Sequence, residues 1–211
     1  MGNHKCAYLM CAAVFVLAAG FYFGAAFAVE DVAKTTIENL QAAFNGESNA
    51  NARYMAFAEK ADLEGFHQVA SLFRAAATAE KVHFEHHAIV IKAMGAVPKA
   101  DIAKAEAKST KEDLEAAIRG ESCERDTMYP AFIKVAEADK NQDAVRTFKR
   151  ALSAETEHAK LYKQALDNMD TWKDGTKTFL VCSNCGFTAP LSDLKQCPVC
   201  AYPRSKIIEV K

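Results

Sequence analysis

The sequence predicts an all-α protein: a four-helix bundle with one long crossover connection, followed by a small module that contains four cysteines. Apolar residues recur at positions i, i+3, i+4 and i+7 through most of residues 31–169, which is typical of amphipathic helices. The 211 residues include only nine Gly and five Pro, too few for a β-rich chain with many turns. Four of the seven cysteines form two Cys-x-x-Cys pairs near the end of the chain.

The composition excludes some classes of function. Lys and Arg number 26 and Asp and Glu 27, which gives a formal net charge of −1 at pH 7. Because no basic excess is present to hold a phosphate backbone, we expect no nucleic-acid partner. Hydrophobic residues make up 50% of the chain and charged residues 25%, and this balance excludes wholesale disorder.

Residues 1–28 are predicted to be an export signal and are set aside from the fold. An apolar, uncharged run over residues 6–27 follows Lys5, and small residues, Ala26 and Ala28, stand at positions −3 and −1 of a signal-peptidase site. The sequence therefore predicts an exported, periplasmic protein cleaved after Ala28. A retained anchor that leaves the protein facing the periplasm is the alternative, because the run is long enough to span a bilayer. Membrane contact is expected only in that case.

Residues 29–172 are predicted to form the bundle. The apolar periodicity places its helices at about 31–62, 65–95, 111–139 and 141–169. Tight turns join the first two helices and the last two, whereas the connection from Gly95 to Thr110 is longer. Thirteen extended residues reach roughly 43 Å, about the length of a thirty-residue helix. This connection can therefore run the length of the bundle, so that the second and third helices are parallel.

An internal repeat places Glu and His residues at matching positions in the two halves of the bundle. Each half has a Gly-Glu-Ser motif on its first helix and a Glu-x-x-His motif on its second, whose Glu follows 33 or 34 residues later. Residues at i and i+3 share a helix face, so each Glu projects with its His. The repeated motifs are Gly46-Glu47-Ser48 with Gly120-Glu121-Ser122, and Glu80 and His83 with Glu155 and His158.

Four carboxylates and two imidazoles are then expected to meet in the core of the bundle. Buried anions at that density are very unfavourable unless cations neutralise them, so the repeat implies a pair of metal ions. Solvated charges on amphipathic helices are the alternative, and they would account for a single Glu-x-x-His. Two copies, each paired with a Gly-Glu-Ser helix at a matching distance, favour the metal site.

The repeat is imperfect beside this site. Glu124 lies one turn beyond Glu121, where the first half has Ala50, so one metal has an additional carboxylate within reach. Tyr54 and Tyr129 lie two turns beyond the Glu of their Gly-Glu-Ser motifs, after seven and eight residues respectively. Their phenols are expected to hydrogen-bond the ligand carboxylates or to supply protons, although a plain core role is the alternative.

A second metal site is predicted at the C-terminus. Two Cys-x-x-Cys knuckles on a hairpin bring four thiolates into a tetrahedron, which suits iron or zinc. Gly186 after the first knuckle and Pro198 inside the second favour a metal over two disulfides, the alternative that export would permit. The spacing does not distinguish iron from zinc. The four predicted ligands are Cys182, Cys185, Cys197 and Cys200.

Over residues 31–211 these motifs resemble the rubrerythrin family. The resemblance implies a ferritin-like bundle over 29–172 that holds two non-haem iron ions, and a rubredoxin-like module over 177–211 that holds one iron, or zinc in its place. It also implies that His83 exchanges with Glu124 at one iron when the redox state changes. The implied bundle ligands are Glu47, Glu80, His83, Glu121, Glu124, Glu155 and His158.

The resemblance further implies an oxidoreductase that protects against oxidative stress by reducing hydrogen peroxide to water. Members of the family are commonly head-to-tail homodimers, in which the rubredoxin-like centre of one subunit passes electrons to the di-iron centre of the other. We expect the same here, with electrons from a donor protein that the sequence does not identify. The residues expected to take part in catalysis are Glu124, His83, Tyr54 and Tyr129.

The sequence departs from the family at three places. An export signal is unusual there, Ala201 stands where a Gly often follows the second knuckle, and Ile207 stands where an aromatic residue is common. The last two changes could shift the potential of the cysteine site or let it tolerate zinc. Two other functions remain as alternatives: a ferroxidase or iron-handling protein, and a structural module whose tail is a zinc ribbon.

Overall fold

The computed structural model describes residues 35–211. The predicted export signal and the first residues of the helix predicted at 31–62 lie outside this part of the chain. Within residues 35–211, no helix is both long enough and apolar enough to cross a membrane.

The bundle consists of four long helical segments, as the sequence predicts. The third is composite, because α3, a π-helical segment and α4 follow one another without interruption. Observed and predicted boundaries within residues 35–211 differ by two residues or fewer. The helices are α1 (Thr36–Leu63), α2 (His67–Ala93), α3 (Thr110–Cys123), the π segment (Glu124–Met128), α4 (Tyr129–Ala138) and α5 (Gln142–Asp167).

Capping boxes define where α1 and α3 begin. The Thr35 hydroxyl accepts a hydrogen bond from the backbone amide of Glu38, and the Glu38 carboxylate accepts one from the backbone amide of Thr35. Ser109 and Glu112 repeat this arrangement at the start of α3. Each cap satisfies backbone amides that have no partner inside the helix, which stabilises a helix by about 1 kcal/mol.

The long crossover lies along α1. Amide side chains spaced four residues apart on α1 hydrogen-bond the crossover backbone at 2.7–2.9 Å: Gln41 with Val97, Asn45 with Asp101, and Asn49 with Ala103. The crossover therefore runs in the same direction as α1, and Glu64 beyond the end of α1 accepts from the Thr110 backbone amide at 2.8 Å. Since α2 runs back from the end of α1, α3 starts beside the start of α2. The two helices are parallel, as predicted.

The C-terminal module is a small antiparallel sheet packed on the bundle. Its strands are β1 (Phe179–Cys182), β2 (Thr188–Pro190) and β3 (Ile207–Val210), in the order β2-β1-β3. All four residues of β1 are buried. Since successive side chains of a strand point to opposite faces, both faces of β1 are covered. Phe179 and Val181 join the core of the helices, whereas Leu180 and Cys182 join the core of the module. One strand thus belongs to two cores and fixes the module on the bundle.

Candidate metal centres

The repeated Glu and His residues meet in the centre of the bundle. Each of the four long helical segments contributes one or two of them, and each side chain is at most 2% exposed. Two of the side chains come from α2 and two from α5, which carry the Glu-x-x-His motifs, and one comes from each of α1 and α3. They are Glu47, Glu80, His83, Glu121, Glu155 and His158.

Their ligand atoms form two overlapping sets, and within each set the atoms lie within 4.8 Å of one another. One set is Glu47, Glu80, His83 and Glu155, and the other is Glu80, Glu121, Glu155 and His158. Glu80 and Glu155 belong to both sets, and each of these carboxylates directs one oxygen toward His83 and the other toward His158. In Glu80, Oε2 is 2.8 Å from His83 Nδ1 and Oε1 is 3.4 Å from His158 Nδ1. In Glu155 the corresponding distances are 3.2 and 2.9 Å. These two carboxylates are therefore placed to bridge a pair of ions.

Both imidazoles present Nδ1 to the carboxylates. The Cys185 carbonyl lies 3.1 Å from His83 Nε2 and can only accept, so Nε2 carries the proton. The Thr188 hydroxyl donates to the Gly186 carbonyl at 2.9 Å and therefore accepts from His158 Nε2 at 3.0 Å. In a neutral imidazole the Nδ1 lone pair then faces the carboxylates, which is the orientation that a metal requires.

The electrostatics of the site fit a pair of cations. Burial raises the pKa of Glu47 well above its usual range, and repulsion from Glu124 and Glu80 adds to the effect. Burial alone would lower the pKa of His83, but neighbouring carboxylates, Glu155 foremost, raise it to about 10. Several buried atoms also have no hydrogen-bond partner among residues 35–211: Glu47 Oε2, Glu80 Oε1, Glu121 Oε2, both oxygens of Glu155, and His158 Nδ1. Such uncompensated buried charge is costly, and two divalent cations would neutralise it.

Two buried tyrosines hold carboxylates of the site. Tyr54 Oη donates to Glu121 Oε1 at 2.5 Å, and Tyr129 Oη donates to Glu47 Oε1. Neither phenol is more than 1% exposed. Each tyrosine therefore hydrogen-bonds the Glu of the other half of the repeat, although the sequence spacing relates it to the Glu of its own helix.

Glu124 begins the π segment and belongs to neither ligand set. It is 5% exposed, and its charge contributes, after burial, to the raised pKa of Glu47. A π segment adds a residue to the helix, so Tyr129 follows Glu121 by eight residues whereas Tyr54 follows Glu47 by seven. The sequence predicts a helix over 111–139 and does not predict the π segment within it. The unequal spacing of the tyrosines was the available signal.

Sequence reasoning did not assign two further buried residues. His87 is fully buried, with Nε2 3.2 Å from Tyr129 Oη and Nδ1 3.0 Å from Thr147 Oγ1. Tyr162 is also fully buried, and its ring centroid is 5.5 Å from that of Tyr54. Each follows the His of a Glu-x-x-His motif by four residues, so the repeat pattern could have indicated both.

The four C-terminal cysteines form the second candidate site. The Sγ atoms of Cys182 and Cys200 are 3.6 Å apart, as are those of Cys185 and Cys197. A tetrahedron with metal–sulfur bonds of about 2.3 Å has sulfur–sulfur edges of about 3.8 Å, so the spacing fits a metal. None of the four forms a disulfide. Hydrogen bonds to its sulfur, from Cys185 foremost, lower the pKa of Cys182 to about 5, which favours its thiolate form. The same contact with Cys182, and then burial, raise the pKa of Cys185 well above its usual range, so a cation is needed to hold both as thiolates.

The two candidate sites are in contact within one chain. Cys185 belongs to the cysteine site, and its carbonyl accepts the hydrogen bond from His83 of the bundle site. The backbone comes this close because the next residue is Gly186, where an added Cβ would lie 2.1 Å from His83 Nε2. One residue and one hydrogen bond thus connect the two sites.

Known proteins are similar to this chain in sequence and in fold. The family model described as rubrerythrin matches residues 38–166. Nigerythrin of Nitratidesulfovibrio vulgaris is 38% identical over 171 residues (81% of this chain and 84% of the relative), and rubrerythrin-2 of Clostridium acetobutylicum is 34% identical over 174 residues (81% and 94%). A solved structure of nigerythrin in its fully reduced, all-ferrous state has a TM-score of 0.78 at 33% identity, covering 94% of this chain and 98% of that one. The chain belongs to the rubrerythrin family.

Proposed function

We propose that the protein is a non-haem di-iron peroxidase that reduces hydrogen peroxide to water, with electrons supplied through iron in its four-cysteine module. The observation that carries this proposal is the hydrogen bond from His83 to the Cys185 carbonyl, since each of these residues belongs to one of the two candidate metal sites. A structural or storage site has no need for this connection, whereas a site that is reduced repeatedly needs a short path for electrons.

The two ligand sets would hold one iron each, with Glu80 and Glu155 shared between them. Support for iron comes from the carboxylate-rich donor set and from the similar nigerythrin structure, which is all-ferrous. When bound, two ferrous ions supply the two electrons that split the O–O bond of peroxide. Two protons are also needed to form two waters, and the buried phenols of Tyr54 and Tyr129 hold protons at ligand carboxylates.

Glu124 and His83 would adjust the charge of the site during turnover. The carboxylate of Glu124 is close enough to Glu47 to raise its pKa, and Glu47 shares a ligand set with His83. We propose that Glu124 replaces His83 as a ligand when the iron is oxidised, because a carboxylate compensates added positive charge and a neutral imidazole does not.

Rapid mixing tests the proposal. The anaerobically reduced protein is mixed with equimolar hydrogen peroxide, and the visible iron–thiolate absorption of the cysteine site is followed. We expect the colour to return rapidly, because electrons leave the cysteine iron for the bundle. Recovery over minutes, or no colour at all, would contradict the proposed relay. Continued uptake of ferrous iron beyond two ions in the bundle would instead indicate an iron-handling protein.

We also propose that the protein acts in the periplasm after removal of residues 1–28. The apolar run that ends at Ala28 supports this proposal. Mass spectrometry of the protein isolated from its host tests it, with a mature chain that begins at Val29 as the expected result. An intact N-terminus recovered from the cytoplasm would contradict export.

A further inference from the structure

The internal repeat extends to residues around the two tyrosines, and there the two halves differ. A shift of 75 residues in the sequence relates α2 to α5 and aligns His83 with His158. The same shift relates Phe73 to Phe148, and these rings pack against equivalent neighbours, Tyr162 and His87, at centroid distances of 5.3 and 5.5 Å. The pairs that differ in chemistry are Leu72 with Thr147, and His87 with Tyr162.

In one half these differences produce a directional chain of hydrogen bonds. Tyr129 donates its only proton to Glu47, so its oxygen accepts from His87 Nε2 at 3.2 Å. His87 is fully buried, and within residues 35–211 its ring nitrogens contact two hydroxyl groups, those of Tyr129 and Thr147, and no carboxylate. Such a site disfavours a charged imidazole, and burial, followed by the charge of His83, lowers the pKa of His87, so the ring is neutral and has a single N–H. Its Nδ1 must accept, and Thr147 Oγ1 donates to it at 3.0 Å. The order of donors is therefore Thr147, His87, Tyr129, with Glu47 as the final acceptor.

The other half has no such chain. Tyr54 donates to Glu121, but the side chain in the place of His87 is Tyr162, whose hydroxyl has no hydrogen-bond partner within residues 35–211. Leu72 stands in the place of Thr147 and offers no hydroxyl. The Tyr54 oxygen thus accepts no hydrogen bond from this part of the chain.

We propose that His87, oriented by Thr147, is a positioning residue that directs Tyr129 to donate to Glu47 and makes the two phenols of the site inequivalent. A phenol whose oxygen accepts a hydrogen bond is a stronger donor, because hydrogen bonds in a chain polarise one another. The chain ends at the buried hydroxyl of Thr147, so it orients a proton and does not conduct one. The orientation of Tyr129 does not depend on the proposed function, but its effect on catalysis does. Glu47 shares a ligand set with His83, and the metal of that set is the one at which Glu124 is proposed to replace His83.

The orientation of His87 can be tested without any activity. Zinc is diamagnetic, so long-range proton–nitrogen spectra of the zinc-loaded, ¹⁵N-histidine-labelled protein report which ring nitrogen is protonated, and comparison with His87→Leu assigns the signals. We expect a neutral His87 ring protonated at Nε2 from pH 5 to 8, and an Nδ1 signal that shifts when Thr147→Val removes its donor. A ring protonated at Nδ1, or an Nδ1 signal unchanged by Thr147→Val, would overturn the proposal.

The catalytic consequence is tested in the iron-loaded protein with matched variants. Thr147→Val keeps the shape of the side chain and removes the donor, whereas Thr147→Ser keeps the donor. We expect Thr147→Val and His87→Leu to lower peroxide turnover by about tenfold at unchanged iron content, and Thr147→Ser to retain it. Leu72→Val, at the matching position in the other half, is expected to leave peroxide turnover unchanged.

Equal turnover in the Val and Ser variants of Thr147 would overturn the positioning role. A wild-type protein that does not reduce peroxide would instead overturn the proposed function. In that case the spectra of the zinc-loaded protein alone decide whether His87 orients Tyr129.

Discussion

Tyr54 on α1 donates its hydrogen bond to Glu121 on α3, and not to Glu47, which lies seven residues before it on its own helix. Tyr129 reciprocates by donating to Glu47. The orientation of each carboxylate therefore depends on a phenol from the opposite half of the bundle. Loss of one phenol should therefore affect metal binding by the Glu of the opposite half. Sequence spacing alone would instead predict an effect on the Glu of the same helix.

Tyr54→Phe should weaken metal binding in the set that contains Glu121 and His158. The ring keeps its packing, but Glu121 loses the hydrogen bond that orients it, and loss of such a partner typically lowers metal affinity 10–100-fold. Competition with a chelator measures the effect. Tyr162→Phe is the matched control, because it removes a buried hydroxyl that has no hydrogen-bond partner within residues 35–211. Equal losses of affinity in the two variants would contradict the assignment.

Glu124→Ala should slow peroxide turnover and leave both bundle metals bound. Glu124 lies outside both ligand sets, so its removal leaves each set complete, whereas the charge proposed to balance oxidised iron is lost. We expect a fall of at least about tenfold, equivalent to about 1.4 kcal/mol of the barrier. Metal analysis and steady-state kinetics on one preparation provide the measurement. Glu85→Ala, which removes an exposed carboxylate from α2, is the control. Unaltered kinetics in Glu124→Ala would contradict its role.

The sequence predicts the helices and the six central side chains well, because both follow from periodicity. The shared face of Glu80 and His83 is a property of any helix, and the repeat supplies the second half. The crosswise tyrosines are not predictable in this way, since spacing gives the face of a helix but not its partner across the bundle. His87 and Thr147 are 60 residues apart, and their contact depends on how α2 packs against α5.

The docking of the module on the bundle was also not predicted. Phe179 and Val181 read as ordinary strand residues, and nothing in their order indicates that one face of β1 packs against helices. Gly186 carried a partial signal. The sequence associates it with the cysteine knuckle, whereas the structure adds a second requirement, the close approach to His83.

Gly186→Ala should uncouple the two metal sites. Gly186 has φ of 74°, and an added Cβ would overlap His83, so the knuckle must move away and lengthen the bond from His83 to Cys185. We expect iron in the cysteine site to persist and its reoxidation after mixing with peroxide to slow by tenfold or more. Gly175→Ala is the control, because Gly175 has φ of 71° and nothing within 4 Å of an added Cβ. Slowing by the same factor in both variants would indicate backbone strain and not the contact with His83.

Ala201→Gly should stabilise the module. Ala201 occupies in the second knuckle the place that Gly186 occupies in the first. The backbone amide of each residue donates a hydrogen bond, at 2.9 Å, to the carbonyl of the first cysteine of its knuckle. Its φ of 56° costs a residue with a Cβ roughly 1–2 kcal/mol, partly offset by the greater freedom of Gly in the unfolded chain. We expect the free energy of unfolding to rise by about 0.5–1 kcal/mol, as measured by urea unfolding monitored through the visible absorption of the cysteine site. Ala189→Gly in β2 should instead destabilise the module by a similar amount.

Glu64→Gln should make the stability of the bundle less dependent on pH. Hydrogen bonds from Lys60 and from the backbone amide of Thr110 lower the pKa of Glu64 to about 2. A carboxylate whose pKa is lower in the folded than in the unfolded chain stabilises the fold above the unfolded value of 4.5, and this contribution is lost as pH falls from there toward 2. We expect the wild-type protein to be more stable than Glu64→Gln by about 1 kcal/mol at pH 7, a modest value because the side chain is partly exposed.

The difference should shrink as the pH is lowered below 4.5, since protonation gives the wild-type side chain the charge of Gln. Urea unfolding of both proteins at a series of pH values from 7 to 3 measures it. Glu59→Gln is the matched control, because Glu59 is exposed on the same helix and makes no hydrogen bond or ion pair within residues 35–211. If the difference in the free energy of unfolding between the wild-type protein and Glu64→Gln stayed constant over this range, the charge of Glu64 would not be what stabilises its contact with Thr110 at the start of α3.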